Sequence, residues 1–280
     1  MPGQDKETVG PRFSRTWTVE EHCQACDVLA LITGLAKTRI KDCMAKGGVW
    51  LSKPGRSAVR LRRATTQVHA GDRLEINYDA QLLSLAPPEP MLMQGTRRWS
   101  VWYKPAGMLS QGTRFADHCS LVRVAQTMLG SQRPLYLVHR LDREASGLLV
   151  LAHDQKSAAA LSALVRQGLL EKEYHILVRG IPPWERLCVD NALDGKACCT
   201  QFQILHTHAK RQVALLLARL EQGRTHQIRR HAAMAGYPVL GDARYGQGRG
   251  QLQLVAVRLG FPCPFDRLWH EWTVSGPALA

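Results

Sequence analysis

The stretch His139–Asp154, HRLDREASGLLVLAHD, sets one carboxylate, Asp142, between two arginines, follows it with a Ser-Gly pair, and ends in an aliphatic run. The run Leu148 to Leu151 reads as a buried strand, and PLYLVH before it as another. Asp142 is therefore expected where a strand leaves the core and side chains meet a cleft. Something there needs a negative charge held in place.

The whole chain favours a polyanionic partner. Its 280 residues suffice for about two domains and a sizeable core. An apolar share of 45% with 21% charged residues is ordinary for a soluble globular protein, whereas a formal charge of +14 is not. That excess points first to nucleic acid. No apolar stretch is long enough to span a bilayer, and MPGQDKETVGPRFSRTW lacks the apolar core of a secretion signal, so a cytoplasmic protein without a membrane partner is expected. Eight cysteines include one C-x-x-C pair, Cys23 and Cys26, with no second pair at zinc-ribbon spacing, which suits reduced thiols.

Residues 1 to about 16 read as a polar tail. TVEEHCQACDVLALITG opens with a capping box, Thr18 and Glu21, and continues with helical spacing. AKTRIKDCMAKGG reads as a second helix with Ile40, Cys43 and Met44 inward and Gly47 closing it. In GDRLEINYD, Leu74, Ile76 and Tyr78 alternate as in a half-buried strand. Two short helices, a basic surface and this closing strand resemble the small RNA-binding domain named for ribosomal protein S-four, over about residues 17 to 80. Lys37, Arg39 and Lys41 would serve equally as a solvated helix face. Beside Arg56, Arg60, Arg62 and Arg63 they are expected to meet RNA phosphates.

QLLSLAPPEPMLMQG, with three prolines, reads as a linker over 81–96. From Arg97 strands dominate, with TQFQILHT and QVALLLARLE forming a hairpin around HAKR. A helix is capped by Asp154 and ends at Gly168; another runs from Thr225 to Gly236. The strand EYHILVRG places Tyr174, Ile176 and Val178 on one face, where a tyrosine alone would read as core. Arg229 falls in the first turn of the last helix, where the helix dipole disfavours it, so another interaction should hold it there.

HRLDREASGLLVLAHD, KEYHILVRG and GRTHQIRRHAAMAGYPVLGDARYG together resemble the three signature segments of the RluA-type pseudouridine synthases. WYKPAGMLS resembles the K-P-x-G segment that precedes them, and the likeness runs from about Arg97 to Phe265. A related branch carries GRLD, so His139 favours the RluA type. The resemblance implies an α+β chain: a mainly antiparallel-sheet catalytic domain over 97–280, preceded by a small α/β RNA-binding domain. It implies Asp142 as the catalytic aspartate, Tyr174 as the tyrosine stacked on the target base, and Arg229 as the partner of the aspartate. Arg140 matches the arginine that intrudes into RNA to displace the target nucleotide. Where the family more often has Thr-Ser-Gly this chain has Ala145, and Gln253 stands where a histidine is frequent.

The chemistry of the residues agrees with those roles. Turning uridine into pseudouridine breaks a bond from ribose to a ring nitrogen and rejoins the base through a ring carbon. A carboxylate beside the anomeric carbon can act as nucleophile or as base. A base stacked in a helix is out of reach and must be extruded. Neither a metal nor an organic cofactor is expected. His206, His208, His226 and His231 lack the spacing of a metal site. Asp142 with Glu144 is not read as a glycosidase pair. The expected partner of a monomeric enzyme is structured RNA, with large-subunit ribosomal RNA favoured over tRNA. The competing class is a non-catalytic RNA-binding or ribosome-assembly protein on the same fold.

Overall fold

The computed structural model of the chain describes residues 12–130 and 134–278. It divides into two compact units. The first runs to Pro87 and adds Gln111–Val124; the second comprises Pro88–Ser110 and the chain from Ala125 onward. Among the described residues no helix is long and apolar enough to cross a membrane. All eight cysteines are unbridged.

In the first unit the elements are β1 (Arg12–Thr18), β2 (Cys23–Gln24), α1 (Ala25–Thr33), α2 (Lys37–Ala45), β3 (Val49–Ser52), β4 (Val59–Arg60), β5 (Gln67–Val68), β6 (Arg73–Asp79) and α3 (Ala80–Ser84). One antiparallel sheet takes the order β1-β6-β3-β4, and β2 pairs with β5. Leu29 of α1, Ile40 and Met44 of α2, and Leu74 and Ile76 of β6 are fully buried together, so the two helices close one face of the sheet.

The start of the chain departs from expectation. Residues 12–16 are strand rather than tail, and the part of that expectation on residues 1–11 lies outside the described residues. Thr18 does not cap a helix: it ends β1, which pairs with β6 from Arg12 opposite Asp79 to Thr18 opposite Arg73. A seven-residue ladder outweighs a capping box, whose contribution is about 1 kcal/mol. The helix starts only at Ala25. Likewise, 81–96 is no bare linker, since it holds most of α3 and all of β7 (Met91–Gly95).

Gln111–Val124 completes this first unit, although it lies within the range 97–280 expected for the catalytic domain. Asp117 is the reason. Its carboxylate meets the guanidinium groups of both Arg60 and Arg62, while Arg114 pairs with Glu75. Arg62 also donates to the Ala45 carbonyl, so it is committed to this internal network.

The second unit continues with β8 (Trp99–Lys104), α4 (Leu121–Met128, which crosses the boundary between units), β9 (Tyr136–Leu137), β10 (Ser146–Ala152), α5 (Gln155–Arg166), β11 (Glu171–Arg179), β12 (Arg186–Val189), β13 (Thr200–His208), β14 (Val213–Leu220), α6 (Gln227–Met234), β15 (Leu254–Pro262) and β16 (Trp269–Thr273). The large sheet runs β12-β13-β14-β11-β15-β10-β8-β7, with β16 added to β15 and β9 to β10. The hairpin β13–β14 and the Asp154 cap of α5 form as expected. PLYLVH yields only a two-residue strand, and α6 begins at Gln227 rather than Thr225. Asp142 thus sits in the loop that enters β10, not at the exit of a strand.

The central three strands decide where that loop lies. β10 is parallel to β15 over Ser146–Gly147, while β11 is antiparallel to it. Tyr174, Ala256 and Gly147 therefore form one row across three strands. Gly147 is required there: its φ is +118°, and an added Cβ would lie 2.3 Å from the Ala256 oxygen. A bulge on β15 falls at the same place, where the partner of β11 jumps between Glu173 and Tyr174, and such a bulge re-aims the side chains beside it. Gly147→Ala should therefore destabilise the fold by about 3 kcal/mol or more in urea denaturation, since overpacking and backbone strain add. A loss below about 1 kcal/mol would show that the close approach is not needed.

Candidate active site

A cleft of about 250 Å³ opens at the Tyr174 end of that row. The loop entering β10 contributes His139, Arg140 and Asp142; the start of β11 contributes Lys172 and Tyr174; the first turn of α6 contributes Arg229. Asp142, Tyr174 and Arg229, 87 residues apart at the extremes, thus line one cavity. The Asp142 side chain is 17% exposed and that of Arg229 only 5%.

Arg229 Nη1 donates to Asp142 Oδ2 at 3.3 Å. At an effective dielectric of about 20 that separation gives roughly 5 kcal/mol of attraction before desolvation. Yet Asp142 is not the main partner. Arg229 donates through Nε and Nη2 to Asp242 at 2.7 and 2.9 Å, a two-pronged bond to a carboxylate with no exposed surface. In the sequence, Asp242 lies in VLGDARYG and has no role expected of it. The one signal was the arginine at a helix start, which called for some interaction to hold it there without saying which. Asp242 Oδ1 also accepts from the backbone amides of Arg244 and Tyr245. Burial opposes its charge, but the Arg229 bond and those amides prevail and hold its carboxyl below the usual range. The Asp242 bond chiefly raises the pKa of Arg229, which stays charged. Glu144, half exposed, approaches Nη1 at 3.5 Å.

Three more groups set the electrostatics. Lys104, fully buried, donates from Nζ to the carbonyls of Ala145 at 2.6 Å, Met108 at 2.8 Å and Pro105 at 3.0 Å, which pins the end of the Asp142 loop. Burial drives its pKa down to about 7 against the pull of Asp142 and Glu144. Ala145, where the family more often has threonine, is buried and supplies its carbonyl to that lysine. His226, another residue unassigned from sequence, caps α6 in the left-handed region and brings Nε2 to 3.8 Å from Asp142 Oδ1. Burial lowers its pKa, so it faces Asp142 as a neutral ring. Tyr174 is 5% exposed, and burial first and the Asp142 charge second push its phenol up. It therefore offers a flat face and a protonated hydroxyl rather than a phenolate base.

Residues 98–234 match the family model described as RNA pseudouridylate synthase. A ribosomal large subunit pseudouridine synthase C from Vibrio parahaemolyticus is 31% identical over 225 residues, covering 70% of this chain and 69% of the relative. The chain belongs to the RNA pseudouridine synthase family. An uncharacterised RNA pseudouridine synthase from Chloroflexus aurantiacus is 34% identical over 200 residues, and the match spans 62% of each chain. In fold, the solved structure of human RNA pseudouridylate synthase domain containing 1 superposes with a TM-score of 0.58 at 22% identity, covering 69% of this chain and 87% of that one.

As a pseudouridine synthase the chain acts on uridine in RNA, and its cleft is rimmed by cations. Arg140 and Arg224 are exposed at the mouth. In the first unit Arg39 and Lys41 are exposed, Lys37 pairs with Asp27 at 2.8 Å on the surface, and Arg63 donates to Thr65. Arg62, turned inward to Asp117, is the least suited of the expected RNA contacts. His231 is fully buried on Thr200 and Asn191, while His206 and His208 lie on β13. Among the described residues the one group able to hold a metal ion is Cys263, Asp266 and His270, at the β15–β16 hairpin rather than the cleft, with donor atoms within 4.8 Å of one another.

His139 gives a pH signature. Burial, aided by the charge of Lys172, lowers its pKa to about 3. The folded state then keeps a neutral ring where the unfolded chain, with a histidine pKa of about 6.5, binds a proton, so stability present above pH 6.5 is lost towards pH 3. Between pH 7.5 and 5 this loss is about 2 kcal/mol. The stability gap between wild type and His139→Gln should narrow by that amount over the same range in urea titrations; a constant gap would contradict it.

Proposed function

We propose that this chain converts uridine to pseudouridine in structured large-subunit ribosomal RNA, with Asp142 as the carboxylate that acts on the ribose. The observation that carries the reading is the cleft itself, where Asp142 touches Arg229 and shares its walls with Tyr174. A chain that only bound RNA would gain nothing from a carboxylate facing the phosphates; an isomerase needs one. A base swung out of its helix would lie on Tyr174, with its sugar towards Asp142. Asp142 then attacks the anomeric carbon or removes the neighbouring proton, and Arg229 sets its positive charge against the carboxylate while the base shuts out water. The overall change is an isomerisation with no oxidation or reduction, so the step asks for no redox cofactor.

The ribosomal target is favoured by the synthase C names of relatives and by the charge of +14. Exposed cations on the first unit, Arg39 and Lys41 above all, would hold the surrounding phosphates as an S-four-type module does, and Arg140 would enter the helix as the nucleotide leaves. A monomer working in the cytoplasm fits this role. The test is tritium release from an unmodified large-subunit RNA transcript carrying uridine labelled at ring carbon five. Wild type should release label, and Asp142→Asn should lose about 10³-fold or more in rate while binding the transcript within about threefold of wild type. Equal release by both proteins, or binding without release by either, would overturn the proposal.

A further inference from the structure

Among the described residues, two hydrogen-bond donors of the cleft-lining side chains have no partner. Lys172 lines the cavity two residues before Tyr174 on the same face of β11, about 7 Å along the strand. Among the described residues its ammonium has no carboxylate or carbonyl partner. The acids on either side of it are taken: Glu171 pairs with Arg258 at 2.8 Å, and Glu173 with Arg219 at 2.7 Å. Burial lowers the pKa of Lys172 with no opposing acid, whereas Lys104 donates to four carbonyls and has Asp142 and Glu144 to oppose the effect of burial. A partly buried cation left this way costs folding energy unless something else uses it.

The second donor is His139. Its Nε2 accepts from the Val150 amide at 3.3 Å, which places the proton of the neutral ring on Nδ1. Among the described residues Nδ1 is buried without a partner, and His139 is one of the residues that line the same cavity. Two donors without an acceptor of their own among the described residues, set beside Tyr174, call for a ligand with acceptor oxygens and negative charge. A phosphate would instead meet the exposed Arg140 and Arg224 at the mouth.

We propose that Lys172, supported by the Nδ1–H of His139, holds a carbonyl oxygen of the extruded pyrimidine and stabilises the uracil anion formed during the reaction. This rests on the function proposed above. The bond from C1′ to N1 breaks with its electron pair going to N1, and the charge spreads over O2 and O4. The freed ring turns and C5 forms the new bond to C1′. If Asp142 attacked C1′, its ester bond to C1′ breaks as this bond forms; if Asp142 took the C2′ proton, it returns that proton to C2′. C5 then gives its proton to solvent, and N1 takes one from solvent. Attack by Asp142 at C1′ and removal of the neighbouring proton expel the same anion, so Lys172 serves either course. Its charge meets negative charge that is absent from the bound uridine, and so it lowers the barrier more than it aids binding.

The experiment compares wild type, Lys172→Met and Lys172→Arg in single-turnover tritium release on unmodified large-subunit and tRNA transcripts, alongside RNA affinity and melting temperature. Lys172→Met should release label about 100-fold more slowly, the usual effect of losing one such donor, with RNA affinity within about threefold and melting unchanged or higher. Lys172→Arg should recover part of the rate. A Lys172→Met rate within about threefold of wild type, or a defect wholly in RNA affinity, overturns the proposal while active wild type and silent Asp142→Asn leave the assigned function standing. Silent wild type overturns that function and this proposal together.

Discussion

Asp242 holds Arg229 with two hydrogen bonds, and Arg229 in turn presents its remaining nitrogen to Asp142. This relay is what allows a carboxylate to stand at the mouth of an apolar cleft. An arginine buried to 5% exposure would be untenable on Asp142 alone, since that bond is long. Asp242 supplies the compensation from behind, itself held by two backbone amides. The strong bonds therefore lie behind Arg229, and the weak one on the side of the cleft. A preorganised site needs that division, because the reacting group must be oriented without being consumed by its support.

The sheet makes the relay reachable. Its one parallel pairing, β10 with β15, brings Gly147 onto Ala256 and delivers the preceding loop to the face of Tyr174. Lys104 fixes that loop through the Ala145 carbonyl, so the loop is held by a cation at its end and faces another at its aspartate. The Gly147 position is dictated by backbone contact and not by chemistry, yet Asp142 depends on it. Gly241 has the same character: its φ is +76°, and an added Cβ would lie 2.1 Å from the Gln251 oxygen, which sets the turn carrying Asp242.

The elements with strong local patterning were legible in the sequence: the buried run of β10, the alternation of β11, the Asp154 cap of α5 and the hairpin β13–β14. That Asp142, Tyr174 and Arg229 meet in one cavity was legible because three motifs of unusual composition carry them. What escaped was decided by partners remote in sequence. β1 has no strong periodicity of its own and becomes strand because β6 offers a full ladder. Gln111–Val124 joins the first unit because Asp117 compensates Arg60 and Arg62, a pairing across 55 residues that no local pattern encodes. Asp242 was hidden for a related reason, as a Gly-Asp pair reads as an ordinary turn until the arginine that it serves is located.

The relay makes a claim about energy that a double-mutant cycle can reach. Unfolding free energies of wild type, Asp142→Asn, Asp242→Asn and the double variant measure whether the two carboxylates communicate through Arg229. The account predicts a coupling of about 1 kcal/mol or more, because once either acid is neutralised the guanidinium leans harder on the other. Additivity within about 0.3 kcal/mol would mean that Asp142 and Asp242 do not share Arg229, and the relay would be refuted.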